Sequence, residues 1–91
     1  MPYFVATYAY TSDTAARDAG RAAHREYLGS LPQVVVSGPT DDDGAILVLE
    51  AADAAAVEAL LDADPFVRDG IVAQRRVVGW TPVLGRMAPQ F

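Results

Sequence analysis

The chain has no cysteine, no lysine and a single histidine among its 91 residues. Without cysteine there is no disulfide and no thiolate zinc site. One histidine cannot build a histidine-rich metal site either, so neither a metal nor a cofactor is expected. Apolar runs are short. None approaches the ~20 residues that span a bilayer, so no membrane segment is expected. The opening MPYFVATYAY has neither the basic start nor the small-residue cleavage site of a secretory signal, which makes a cytoplasmic location the expectation. Positive charge is also scarce: seven arginines face twelve acidic residues, for a formal net charge of −5. That balance argues against nucleic acid as a partner.

What is present reads as one small α+β domain. Tyr3 to Tyr10 is rich in β-formers and predicts a strand. Thr11, Ser12 and Asp13 supply an N-cap signal, and Ala15 to Leu28 predict a helix that stops at Gly29. Gln33 to Ser37 is a short apolar strand. GPTDDDG is turn chemistry, and Ala45 to Glu50 returns as the partner of a hairpin with a long loop. Asp53 caps a second helix running to about Leu61. DPFVRDG breaks that helix, and Ile71 to Trp80 is the last strand. The order βαββαβ predicts a ferredoxin-like fold, with four antiparallel strands and two helices on one face.

That layout leaves the other face of the sheet bare. The first and third strands are apolar on both sides (Phe4, Val5, Ala6; Ile46, Leu47, Val48, Leu49), as suits central strands covered twice. Two helices cover one face only. The second cover is expected from another copy, sheet against sheet in a homodimer. Residues 1–80 form the expected domain. The tail from Thr81 to Phe91 either packs on the dimer partner or stays exposed.

The stretch DADPF, Asp62 to Phe66, poses a charge problem. A helix C-terminus carries partial negative charge, so a carboxylate there needs an answering cation or donor. The first helix offers one. At ~100° per residue, Ala16, Gly20, Ala23, Tyr27 and Leu31 form a small-residue stripe for the sheet, while Asp18, Ala22, Arg25 and Glu26 form a solvated face. Between them runs Arg17, Arg21, His24 and Leu28, which places His24 on the shoulder of the buried face. Gly20 would leave space beside its ring. With the two helices side by side, His24, helped by Arg17 or Arg21, is the expected partner of Asp64. Pro65 holds Asp64 in extended geometry and turns its carboxylate off the helix axis. An Asp on one imidazole nitrogen fixes the tautomer and strengthens the other nitrogen as a base.

The run R-x3-R-x2-H-x3-L (Arg17, Arg21, His24, Leu28) resembles that of the YciI-like, or YCII-related, family. So do Gly38-Pro39, the acidic turn ending at Gly44, and DADPF followed by Gly70. The resemblance covers residues 3 to 80. It implies a ferredoxin-like fold in the dimeric α+β barrel superfamily, with a His/Asp site mapping to His24 and Asp64. One branch of the family is similar to dehydrochlorinases acting on chlorinated hydroxyquinols. The tail beyond Trp80 departs from shorter members.

Each residue has a plainer alternative. His24 could be a helix-shoulder histidine bonded to backbone, and Asp64 only a turn former. Arg17 and Arg21 could hold a substrate carboxylate or phenolate, or merely solvate the helix. Ser37 and Gly38 could line a pocket or simply end a strand. Asp41 to Asp43 do not fit a calcium loop. Tyr3, Tyr8 and Tyr10 read as sheet or dimer-core residues, and Arg75 and Arg76 point to opposite faces without an assigned role. Two functions follow. One is an enzyme in which His24 and Asp64 move a proton on a small anionic molecule, by elimination or isomerisation. The other is a non-catalytic dimer that binds a ligand or a protein.

Overall fold

A computed structural model describes all of residues 1–91. Strand β1 (Tyr3–Tyr10) leads into helix α1 (Thr14–Gly29), followed by β2 (Val34–Thr40), β3 (Gly44–Glu50), α2 (Ala54–Asp62), a short α3 (Pro65–Arg68) and β4 (Val72–Trp80). The four strands form one antiparallel sheet in the order β2-β3-β1-β4. This is the ferredoxin-like α+β fold read from the sequence, with the apolar strands β1 and β3 at its centre. No helix is long and apolar enough to cross a membrane.

Register sorts the side chains. Phe4, Ala6 and Tyr8 of β1 stand opposite Leu49, Leu47 and Ala45 of β3, and all six are buried in the core beneath the helices. Val57 and Leu61 of α2 and Leu28 of α1 close that core from above. Asp13 and Asp53 start their helices as side-chain caps, accepting from the N–H groups of Ala16 and Ala56. The Tyr27 hydroxyl ties α1 to α2 by donating to the Leu60 carbonyl at 2.6 Å.

Three sequence expectations are corrected. The β2–β3 connection is tight rather than long, because the ladder continues through Gly38–Ile46, Pro39–Ala45 and Thr40–Gly44. Pro39 is tolerated because β2 is an edge strand. Only Asp41, Asp42 and Asp43 turn, and Asp43 adopts φ 62°, the left-handed position that such three-residue loops require. DPFVRDG does not merely break α2, since its centre is the helix α3. The buried side of α1 is also rotated from the alanine stripe: Ala23 is exposed, while His24 and Leu28 are buried. Alanines contribute little area, so the larger side chains and their partners decide which side faces inward.

The opposite face of the sheet carries no helix. Val36, Ile46, Val78 and Trp80 are exposed there. The tail returns to one corner of it, where Phe91 sets its ring edge-on to Tyr3 and Trp80 at 5.0 and 5.4 Å between centroids. In this chain the tail therefore docks on its own domain, while Val83 and Leu84 remain exposed.

Candidate functional site

The problem posed by DADPF resolves through chain direction. Asp64 does not end α2; it begins α3. Its backbone is extended (φ −64°, ψ 126°) as Pro65 demands, and its Oδ1 accepts the N–H of Phe66 at 3.0 Å. A carboxylate at a helix N-cap completes an orphan donor and faces the favourable end of the dipole. The acid is fully buried, and three groups surround it. His24 Nδ1 lies 2.8 Å from Oδ1 and 3.0 Å from Oδ2, and the Tyr8 hydroxyl donates to Oδ2 at 2.9 Å.

The His24–Asp64 meeting expected from the sequence is thus present. The expected help from arginine is not. Arg17 reaches the β2–β3 turn instead, with Nη1 on Asp43 at 3.0 Å and Nη2 donating to the Thr11 carbonyl at 2.9 Å. Its guanidinium carbon sits 4.9 Å above the Tyr10 ring, and its Nε is buried without an acceptor. Arg21 pairs with Asp18 one helical turn back, at 2.9 Å. Tyr8 fills the place that arginine was given. Sequence reading missed it because alternation shows only that Tyr8 faces the core, not that its hydroxyl has an acid to meet.

Contact with an acceptor-only carboxylate puts the proton on Nδ1 and leaves Nε2 as the free nitrogen. Nε2 makes no hydrogen bond within the protein and is not among the buried unpartnered atoms, so it opens to the cleft that His24 lines. Phe66 holds the ring from the side, stacked parallel at 3.9 Å with 4° between planes. Gly20 does not leave a hollow there as expected. A Cβ at Gly20 would meet Ile71 at 3.1 Å and Phe66 at 3.3 Å, so glycine lets α1 press close to the residues behind the imidazole.

The cleft itself follows from the sheet. Helix α1 lies over the central strands and leaves the helix-side face of edge strand β2 uncovered. Ser37, opposite the buried Leu47, points to that side and is exposed. The space between α1 and β2 is about 800 Å³, and it is lined by Arg17, Arg21, His24, Ser37 and Gly38, as well as Tyr10 and Arg25. Asp64 sits behind His24, outside the lining. Of the six candidate site residues, Arg17, Arg21, His24, Ser37 and Gly38 therefore line one cleft and Asp64 stands behind it; Tyr10, Arg25 and Phe66 join the lining, and Tyr8 joins Asp64. Arg25 is exposed, as its place on the solvated face of α1 predicts, and it also stands on the rim of the cleft.

The tyrosines register the buried acid. Burial first, then the charge on Asp64 and the hydrogen bond to it, pushes the Tyr8 hydroxyl well above the usual tyrosine range. Tyr10 is raised by burial and then by Asp64, and this is partly offset by Arg17, Arg21 and Arg25. Both hydroxyls stay protonated at neutral pH. No group of three or more ligating side chains is placed to hold a metal ion.

Comparison with known proteins bears on this arrangement. The YCII-related domain matches residues 1–81. The fold is similar to that of 5-chloro-2-hydroxyhydroquinone dehydrochlorinase from Burkholderia phenoliruptrix, solved in complex with 2,5-dihydroxybenzoquinone. That similarity has a TM-score of 0.78 at 28% identity, covering 86% of this chain and 92% of the enzyme. A Dabb-family protein with a ferredoxin-like fold from Mesorhizobium loti shares the fold at TM-score 0.54 and 18% identity, over 91% of this chain and 99% of its own. An AsnC-family transcriptional regulatory protein from Pyrococcus furiosus matches at TM-score 0.63 but 8% identity, over 94% of this chain and 54% of its own. No curated protein matches the sequence significantly.

Proposed function

The chain belongs to the YCII-related family, and from that premise we propose that it is a small-molecule enzyme using His24 and Asp64 to move a proton. The substrate is a small anionic, hydroxylated aromatic or quinone-like compound bound between α1 and β2. The observation that carries the proposal is the buried contact of 2.8 Å between His24 Nδ1 and Asp64, with Nε2 left open to the cleft. The likeness to a dehydrochlorinase supports the reaction class.

In an elimination, Nε2 takes a proton from the substrate. The electron pair released forms a new double bond, and an anionic leaving group such as chloride departs. Asp64 stabilises the imidazolium that forms, because its own charge is fully buried and lies against Nδ1–H. Return of the proton to another atom would make the reaction an isomerisation. Arg17 and Arg21 line the same cleft and give it positive potential toward an anion, while Ser37 and the Gly38 backbone border it on the strand side.

The test is chloride release from 5-chloro-2-hydroxyhydroquinone and other halogenated hydroquinones. Wild type should turn over at least one of them, and His24→Ala should lose roughly 10²- to 10⁴-fold in kcat, the usual weight of a general base. Equal turnover by His24→Ala contradicts the reading.

The working unit is proposed to be a two-fold homodimer with the bare sheet faces together. Support comes from the exposed Val36, Ile46, Val78 and Trp80 on that face, since apolar patches of this kind mark interaction sites. Light scattering at micromolar concentration should give twice the chain mass.

A further inference from the structure

Three arginines border the cleft, but only two have a guanidinium free to meet a ligand. Arg17 is spent on Asp43, the Thr11 carbonyl and the Tyr10 ring, with 13% of its side chain exposed. Arg21 is 39% exposed, and its partner Asp18 is 68% exposed, so that ion pair competes with water and exchanges readily. Arg25 lines the cleft, is exposed, and has no carboxylate within ion-pair distance. The two stand four residues apart on α1, roughly 5–6 Å between their Cβ atoms, with His24 between them in sequence. Like charges at this spacing destabilise a helix unless an anion compensates.

We propose that Arg21 and Arg25 form an anion seat at the mouth of the cleft, and that the substrate carries a peripheral anionic oxygen group besides the part presented to His24. A carboxylate or an ionised phenol or enol fits, because guanidinium groups grip planar oxyanions by paired N–H donors. Asp41 borders the opposite side of the cleft without an ion-pair partner and keeps a second negative charge off the strand side. The anion is thereby confined to the helix side, which orients the ring with its neutral edge toward His24. The proposal rests on the reading of the cleft as a substrate site. It shifts anion recognition from Arg17, where the sequence motif puts it, to Arg25, which lies outside that motif.

The experiment measures binding of 2,5-dihydroxybenzoquinone, whose hydroxyls ionise, and of its neutral dimethoxy counterpart. It compares wild type, Arg25→Gln and the Arg21→Gln/Arg25→Gln pair at low and high salt, with circular dichroism confirming the fold. Wild type should prefer the ionised quinone, and salt should narrow that preference. Arg25→Gln should weaken the ionised ligand by about fivefold and the double variant by more, with the neutral ligand unchanged. Equal binding of the ionised quinone by wild type and the double variant overturns the seat. So does a wild type that binds neither quinone, and if His24→Ala still abolishes turnover of another compound, the proton-transfer reading survives that loss. An arginine effect without any histidine effect on turnover keeps the seat and removes the reaction.

Discussion

The His24 imidazole lies flat against the Phe66 ring, 3.9 Å between centroids and 4° from parallel. Phe66 is itself buried, and Tyr10 meets it edge-on at 5.4 Å. One face of the proposed base is therefore sealed by hydrocarbon, and its rotation about χ2 is blocked. A helix of four residues, started by the acid that bonds the same imidazole, delivers both contacts. The orientation of His24 is thus fixed twice by one short segment.

Phe66→Leu should keep this site folded while removing the stack. The expected loss is about 1–2 kcal/mol, from the aromatic contacts and incomplete refilling of the space. Urea denaturation measures it. The ring-current shift on the His24 carbon-bound protons should disappear in the same variant, and an unchanged shift would mean that the stack is absent in solution.

Tyr8→Phe removes one donor from a fully buried carboxylate, and should cost about 1–3 kcal/mol at neutral pH. Its pH dependence has a definite sign. The folded protein holds the Tyr8 proton more tightly than the unfolded chain does. That contribution is complete below the ordinary tyrosine value of about 10 and is lost as pH rises toward the folded value. Wild-type stability should therefore fall above roughly pH 10, and the Phe variant should fall less steeply. Parallel alkaline slopes would contradict the burial of the Tyr8 hydroxyl beside the Asp64 carboxylate.

Gly44→Ala should be severely destabilising. A Cβ there would press into the Tyr8 backbone carbonyl oxygen and stand 3.0 Å from Thr40 Oγ1. The crowding is against backbone at the start of a central strand, where little can move, so a loss of about 2 kcal/mol or more is expected. A thermal melt within a degree or two of wild type would show that the β1–β3 approach is looser than described.

Much of this arrangement was legible in the residues. The β-propensity of Tyr3–Tyr10 and Ala45–Glu50, with caps at Asp13 and Asp53, is enough to order the fold. The spacing of His24 in α1 and the proline after Asp64 are enough to bring that pair together. What failed has physical causes. A four-residue helix is shorter than the period that would reveal it, so α3 read as a break. The wheel of α1 weighted alanines that bury little, and so left His24 on the shoulder when it is buried. Gly20 read as a gap because a sequence does not show that Phe66 and Ile71 arrive from 46 and 51 residues away to fill it. Tyr8 stayed anonymous for the same reason: its acceptor lies 56 positions along the chain.

The most direct test is the ¹⁵N NMR spectrum of the His24 ring at alkaline pH, in wild type and in Asp64→Ala. Wild type should show a protonated Nδ1 and an unprotonated Nε2 available as a base, and the alanine variant should lose that fixed tautomer. A wild-type ring carrying its proton on Nε2, or one unaffected by loss of Asp64, would contradict the account.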